Sequence, residues 1–180
     1  GLIPDNETAI EETIKKAQDS CDALITTGGV SMGDFDYVKI ALNRLGEMRW
    51  MQVAIKPAKP LAFGIVNELP VFGLPGNPVS SMVSYELFAR PALKKMSGDN
   101  KPFRTFFEGE AAQDFKRKPD GKTHFFRVSV DVAEGAPKIH SAGHQGSHQL
   151  TGMAGANALA ILPDGNGVTR GSTLDFLFLD

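Results

Sequence analysis

The chain has 180 residues, with 42% hydrophobic and 22% charged residues; this is the balance of a globular protein with one large or two small domains, not of a disordered chain. No apolar run approaches the roughly 20 residues that span a bilayer, and GLIPDNETAI has neither the basic start nor the apolar core of a secretory leader, so no membrane contact and a cytoplasmic location are expected. A net charge of −2 argues against nucleic acid, whose phosphates need gathered Lys and Arg, and the lone Cys21 can form neither an internal disulfide nor, beside scattered histidines, a zinc site.

From Asp5 to about Ser97, strand-like and helix-like segments alternate, which predicts an α/β domain with a mostly parallel sheet. Asp5 or Asn6 caps a helix that is acidic early (Glu7, Glu11, Glu12), basic late (Lys15, Lys16), and buries Ile10, Ile14 and Ala17. A β-run from Asp22 to Thr27 ends on Gly28-Gly29, and a helix from Tyr37 to Leu45 stops at Gly46. Strands are expected at Trp50 to Ile55, Leu61 to Val66 and Val71 to Leu74, then a helix from about Val79 to Met96. Few strands precede the second half, and a helix opens the chain almost at once, so an N-terminal part is expected to be missing.

After Gly98 the character changes. Short runs rich in Phe, Val and Ile are separated by Pro119-Asp120-Gly121, Glu134-Gly135, Ala142 to Gly146, Asp164 to Gly167 and Arg170-Gly171. That spacing predicts a small, mostly antiparallel β domain closing with Leu174 to Leu179. The boundary is placed near residues 98 to 102. The basic run Lys116-Arg117-Lys118 before the Pro-Asp-Gly turn is read as a solvated hairpin shoulder, and His124, His140, His144 and His148 as surface or turn histidines.

Three stretches carry groups suited to chemistry. In LITTGGVSMGDFDYVK, residues 24–39, the glycines leave amide N–H groups to face an anion, and Ser31 adds a hydroxyl donor. Asp34 and Asp36 are hard oxygen ligands for a magnesium ion bridging to phosphate; capping of the next helix is the alternative, and it explains one aspartate more easily than two. In IKPAKPLAFG, residues 55–64, Lys56 and Lys59 stand on a backbone stiffened by Pro57 and Pro60, which suits a small oxyanion or a plain turn. In FGLPGNPVSSMVSYELF, residues 72–88, a Pro-Gly-Asn-Pro turn puts Ser80 or Ser81 in the first turn of a helix, either as an anion contact or as a rigid joint. Arg127, in the strand-like HFFRVSV, should be solvated or matched to an anion.

Taken together and in this order, TTGGVSMGDFDYVK, KPAKPLAFG, GLPGNPVSSMVSYELFARPAL, HFFRV, QGS and GANALAILPDG resemble the MoeA family, the molybdopterin molybdenumtransferases that include the E domain of gephyrin. The resemblance implies that residues 1–98 are an N-terminally incomplete, three-layer molybdopterin-binding α/β domain, and residues 101–180 the family's C-terminal β domain. It implies molybdenum cofactor biosynthesis: adenylated molybdopterin and molybdate are taken up, the pyrophosphate link is cleaved with Mg2+, AMP leaves, and molybdenum is placed on the dithiolene sulfurs. It also implies a longer protein, a homodimer, and contact with other molybdenum cofactor enzymes.

Residue by residue, Asp36 resembles the essential carboxylate after the GGVS loop and Asp5 a second acidic residue of the cleft. Asp34 and Asp36 would hold the metal. Gly28, Gly29, Ser31, Pro75, Pro78 and Ser80 match the substrate-lining positions. Lys56, Lys59 and Pro60 are similar to the molybdate-contacting loop, with Arg127 and Ser147 contributed by the β domain. Ala58 departs from the family's usual glycine, a change that is tolerable unless the position needs a positive φ. The rival expectations are an adenylyltransferase sharing only the α/β domain, against which the KPAKP loop and the β domain speak, and a non-catalytic scaffold, which would not need these gathered charges.

Overall fold

The computed structural model describes residues 1–30, 36–132, 135–143, 145–146 and 151–179. It divides into two compact units, Gly1–Val53 with Ala58–Gly98, and Ala54–Pro57 with Asp99–Asp180. Among the described residues, no helix is long and apolar enough to cross a membrane.

The first unit opens with α1 (Glu7–Gln18), whose first turn is capped by the Asn6 side chain accepting from the Ala9 N–H at 3.1 Å. Its apolar positions, three and four residues apart, bury Ile10, Ile14 and Ala17 as the spacing predicts. The chain continues through β1 (Leu24–Thr27), α2 (Tyr37–Leu45) and β2 (Glu47–Gln52). Arg44 of α2 bridges to Glu7 and Glu11 of α1 at 2.7 and 2.6 Å, and both carboxylates hold its pKa above the ordinary arginine value. Beneath this exposed staple, Ile10 and Ile14 pack with Ala41, Leu42, Val66 and Val71 in one core.

The next strands are β3 (Ile55–Lys56), β4 (Pro60–Val66) and β5 (Leu69–Leu74). The sheet of the first unit has the order β1-β5-β4-β2. It is mixed, not mostly parallel: β1 and β5 are parallel, whereas β5–β4 and β4–β2 are antiparallel. The cause is local. Asn67 and Glu68, both with positive φ, make a two-residue turn that folds β4 directly onto β5. The run Trp50 to Ile55 is also not one strand, because β2 ends at Gln52 and Ile55 belongs to the sheet of the second unit.

Helix α3 (Pro78–Ser84) continues through a wider π turn, Tyr85–Ala89, into α4 (Arg90–Met96). The widening has a cause in sequence: Pro91 has no N–H, and its ring would crowd the carbonyl four residues back in a regular helix. Ala89, with Phe88, Ala92 and Leu93, packs on Leu61, Phe72 and Leu74 of the sheet.

The second unit contains β6 (Phe107–Ala111), β7 (Phe115–Lys116), β8 (Thr123–Asp131), β9 (Lys138–Ser141), the short α5 (Thr151–Ala154), β10 (Ala158–Leu162), β11 (Gly167–Val168) and β12 (Thr173–Phe178). The order β10-β12-β6-β9-β8 closes on itself because β10 also pairs with β8. The ring is mostly antiparallel, as expected; only β6–β9 within it is parallel. Alternate residues point inward and form the core of Val128, Val130, Ile139, Ala160, Leu162 and Phe176, among others. β3 adds a parallel pairing at the start of β8.

Leu162 has no exposed surface in this core. Leu162→Ala is expected to lower the unfolding free energy by about 2–5 kcal/mol, measured by urea denaturation; an unchanged midpoint would contradict the assigned core.

Candidate functional site

Within the first unit, parallel pairing brings the carboxyl ends of β1 and β5 side by side, with Thr27 opposite Leu74. The Gly28 N–H continues the ladder to the Leu74 carbonyl at 3.0 Å. Beyond it both chains turn. Gly28 and Gly29 have φ +90 and +74, and a Cβ on Gly29 would lie 2.4 Å from Cβ of Val38 on α2. Glycine is therefore required at residue 29 by contact as well as conformation. A Cβ on Gly76 would come within 3.3 Å of the Gly28 backbone, so the two turns abut. Such strand ends are where open α/β sheets bind ligands.

Asp36 stands at the N-terminus of α2. Its Oδ1 accepts from the Val38 N–H at 3.1 Å, so the capping role is realised for this aspartate. The second carboxylate oxygen is the one a cation would use. Magnesium typically takes one or two carboxylates and completes its shell with substrate phosphate and water, so this donor fits it. Among the described residues, no three His, Cys, Asp or Glu side chains gather into a metal site. Ser31 and Asp34 lie outside the described residues.

Pro75 is buried and Pro78 starts α3. The turn between them is a rigid joint: the Ser81 hydroxyl donates to the Pro75 carbonyl, and the Ser81 N–H bonds the Asn77 carbonyl at 2.8 Å. Ser80 is buried in the first turn of α3. Asp5 is exposed beside the cap of α1. Lys59 is exposed too, and its carbonyl accepts from Val53 N–H at 2.8 Å just before Pro60 opens β4. Ala58 is 3% exposed with φ +76. The methyl group thus occupies a left-handed conformation that suits glycine.

In the second unit, Lys56 lies on β3 in register with His124 of β8 and is exposed. Arg127 is fully buried on β8, so it is not solvated. Gln145 brackets its backbone, accepting from the Arg127 N–H and donating to its carbonyl, both at 2.9 Å, and Nη2 donates to the Gly146 carbonyl at 3.2 Å. Burial pushes its pKa down from the ordinary arginine value. Arg127 is three positions beyond His124, so strand alternation sends it to the face opposite Lys56. Ser147 lies outside the described residues.

Two expectations for this unit fail. Arg117 is not a solvated shoulder: its side chain is 1% exposed, with Nη1 donating to the carbonyls of Lys122, Leu162 and Pro163 and Nη2 bridging Asp120 and Asp164 at 2.8 Å. His124 is not a surface histidine. It is 5% exposed, and its Nε2 lies 3.1 Å from both oxygens of Asp120. The period of β8 held the missed signal, because His124 falls in line with Phe126, Val128 and Val130, the inward positions. His140 is exposed on β9, as expected, and His144 and His148 lie outside the described residues.

Burial of the imidazole lowers the His124 pKa, and Arg117 and Lys56 add to this, against the opposing pull of Asp120. Burial raises the Asp120 pKa, but bonds from His124 and Lys122 outweigh it and hold the carboxyl at about 2.

Residues 1–95 match a family model described as a probable molybdopterin binding domain, and residues 108–179 one described as the MoeA C-terminal region, domain IV. The chain is 36% identical over 179 residues to a molybdopterin molybdenumtransferase of Haemophilus influenzae, covering 97% of this chain and 44% of the relative. It is 34% identical to one of Bacillus subtilis, covering 99% of this chain and 42% of the relative. Its fold matches the crystal structure of a molybdopterin biosynthesis protein MoeA from Pyrococcus horikosii with a TM-score of 0.77 at 23% identity, covering 99% and 42% of the two chains. An α/β molybdopterin-binding region followed by a β domain is thus the class defined by fold and sequence. The chain belongs to the MoeA family, and it spans less than half the length of the curated relatives named above.

Ala58→Gly is expected to stabilise the chain by about 1 kcal/mol, the cost of a left-handed alanine, measured as a higher urea midpoint. His124, with its folded pKa depressed, contributes stability that is fully present above its unfolded value of 6.5 and is lost as pH falls through the folded value. The denaturation midpoint should therefore decline as pH falls below about 6.5, and this part of the decline should be absent in His124→Gln.

Proposed function

We propose that this chain is the catalytic C-terminal part of a longer molybdopterin molybdenumtransferase, which inserts molybdate into adenylated molybdopterin with release of AMP. The observation that carries this reading is the junction of Gly28-Gly29 and Pro75-Gly76 at paired strand ends, with the Asp36 carboxylate at the start of α2. On this reading the first unit is an incomplete form of a three-layer α/β domain. The longer protein is a cytoplasmic homodimer that meets other molybdenum cofactor enzymes.

Backbone N–H groups of Gly28 and Gly29, with Ser31, receive phosphate oxygens of the substrate. The rigid turn from Pro75 to Pro78, with Ser80 behind it, walls the cleft and fixes the substrate's approach. Asp36 and Asp34 would hold Mg2+, with Asp5 as a further acidic group; bound there, the ion supplies charge neutralisation to the phosphoanhydride bond as it breaks to free AMP. Lys56 and Lys59, with Pro60, receive molybdate, whose two negative charges their ammonium groups neutralise; Arg127 and Ser147 are the second unit's positions for this anion by family likeness, although Arg127 lies on the face of β8 opposite Lys56. Arg127 suits this because its guanidinium stays protonated even when burial lowers its pKa.

Asp36→Asn separates catalysis from capping, since asparagine caps a helix as well as aspartate. AMP release from adenylated molybdopterin, followed by chromatography in the full-length enzyme, should fall by at least about 100-fold with an unchanged melting temperature. Full turnover in this variant would remove Asp36 from the mechanism.

A further inference from the structure

We infer that His124, clamped by the Asp120 carboxylate, is a positioning residue for Lys56 and tunes how strongly that lysine holds an oxyanion. The identity of the oxyanion rests on the function proposed above; the coupling between the two residues does not. β3 is only two residues long, and both of them pair with the first two residues of β8: Ile55 with Thr123, and Lys56 with His124. The Thr123 N–H bonds the Ala54 carbonyl at 2.9 Å and completes the attachment. Register partners in neighbouring strands lie about 4.8 Å apart with side chains on the same face. Lys56 therefore rises from the sheet directly beside the imidazole.

The imidazole cannot swing away. Its ring stacks on Phe126 with centroids 6.0 Å apart and planes at 29°, and its Nε2 is held between the two Asp120 oxygens. Asp120 is held in turn by Arg117 at 2.8 Å and Lys122 at 3.2 Å, and Arg117 is fixed by Asp164 and three carbonyls. The charges on this buttress balance: two cations, Arg117 and Lys122, face two carboxylates, Asp120 and Asp164. No ion pair to Lys56 occurs among the described residues. The lysine ammonium is left to an external anion, and the neutral imidazole supports it without competing for that anion.

The charged groups that act on His124 are Asp120, Arg117 and, across the strand pair, Lys56, while Lys122 holds Asp120 and Asp164 holds Arg117 behind them. Asp120 favours the imidazolium; burial, Arg117 and Lys56 oppose it. Protonation of His124 in mild acid places a second positive charge beside Lys56, which should tighten oxyanion binding.

The test reads Lys56 first and the anion second. The chain is reductively methylated with 13C, the Lys56 signal is assigned by its loss in Lys56→Arg, and its NMR shift is followed between pH 5 and 8. A titration step coinciding with that of the His124 ring, absent in His124→Gln, supports the inference. A flat Lys56 signal in the unmodified sequence overturns it, and that measurement needs no variant at position 124 to fold. Molybdate is then titrated calorimetrically at pH 6 and pH 8. The expected result is weaker binding in His124→Phe by about tenfold, with the pH dependence lost in His124→Gln. Unchanged affinity and pH dependence in both variants overturn the role in binding. A Lys56 step with no molybdate binding in the unmodified sequence supports the coupling and counts instead against the function proposed above.

Discussion

Because β1 and β5 run parallel and in register from Leu24 to Thr27, their carboxyl ends stop at the same level, and the rest of the first unit is arranged around that level. A parallel pair has no hairpin to close it, so each chain must leave by its own turn. Gly28-Gly29 provides one exit and Pro75-Gly76 the other. The first delivers the chain towards α2, against whose Val38 Gly29 packs with no room for a side chain. The second is locked into α3 by Ser81. The two turns abut, since a Cβ on Gly76 would come within 3.3 Å of Gly28, and each leads to a helix N-terminus, where unsatisfied N–H groups favour negative charge.

The second unit is built differently. There the groups of interest lie on a closed ring whose interior is apolar, and the charges are gathered at one end of β8. Removing a carboxylate from the buried Arg117 is costly, because the guanidinium is left without compensation. The network behind Lys56 meets that requirement by balance: each carboxylate of the pair Asp120 and Asp164 has a cation, and Nη1 of Arg117 donates to three carbonyls. Rigidity beside an exposed lysine follows from this balance, without any need for the lysine itself to be buried.

Much of this was legible in the sequence, for reasons that differ by element. The faces of α1 and the mostly antiparallel second half follow from periodicity and turn residues, which act locally. The mixed sheet was missed because Asn67-Glu68 is not the Asn-Gly pair that marks a two-residue hairpin, although both residues adopt positive φ. The π turn was missed although Pro91 announced it. The turn at Gly28-Gly29 and the capping of α2 by Asp36 were readable from local residues as well. The His124 network was not, since Arg117 and Asp164 are 47 residues apart and only the closed ring brings them together. Ala58 shows the converse: its conformation answers a question that the sequence had already posed.

The two units are not successive segments of chain. Residues 54–57 are given up by the first unit to the second, whose remaining residues begin 42 positions later, at Asp99. The strand β8 finds its neighbour β3 across an intervening loop of more than 60 residues, Pro57 to Lys122. Closing a loop of that length has an entropic cost that non-local contacts must offset, and it slows folding relative to a domain built from adjacent strands. A cut at residue 98 would leave the second piece without residues 54–57, which would stay with the first. Modular exchange of the β domain between relatives would therefore have to carry residues 54–57 with it, so that this short segment and the closed ring are inherited as one piece.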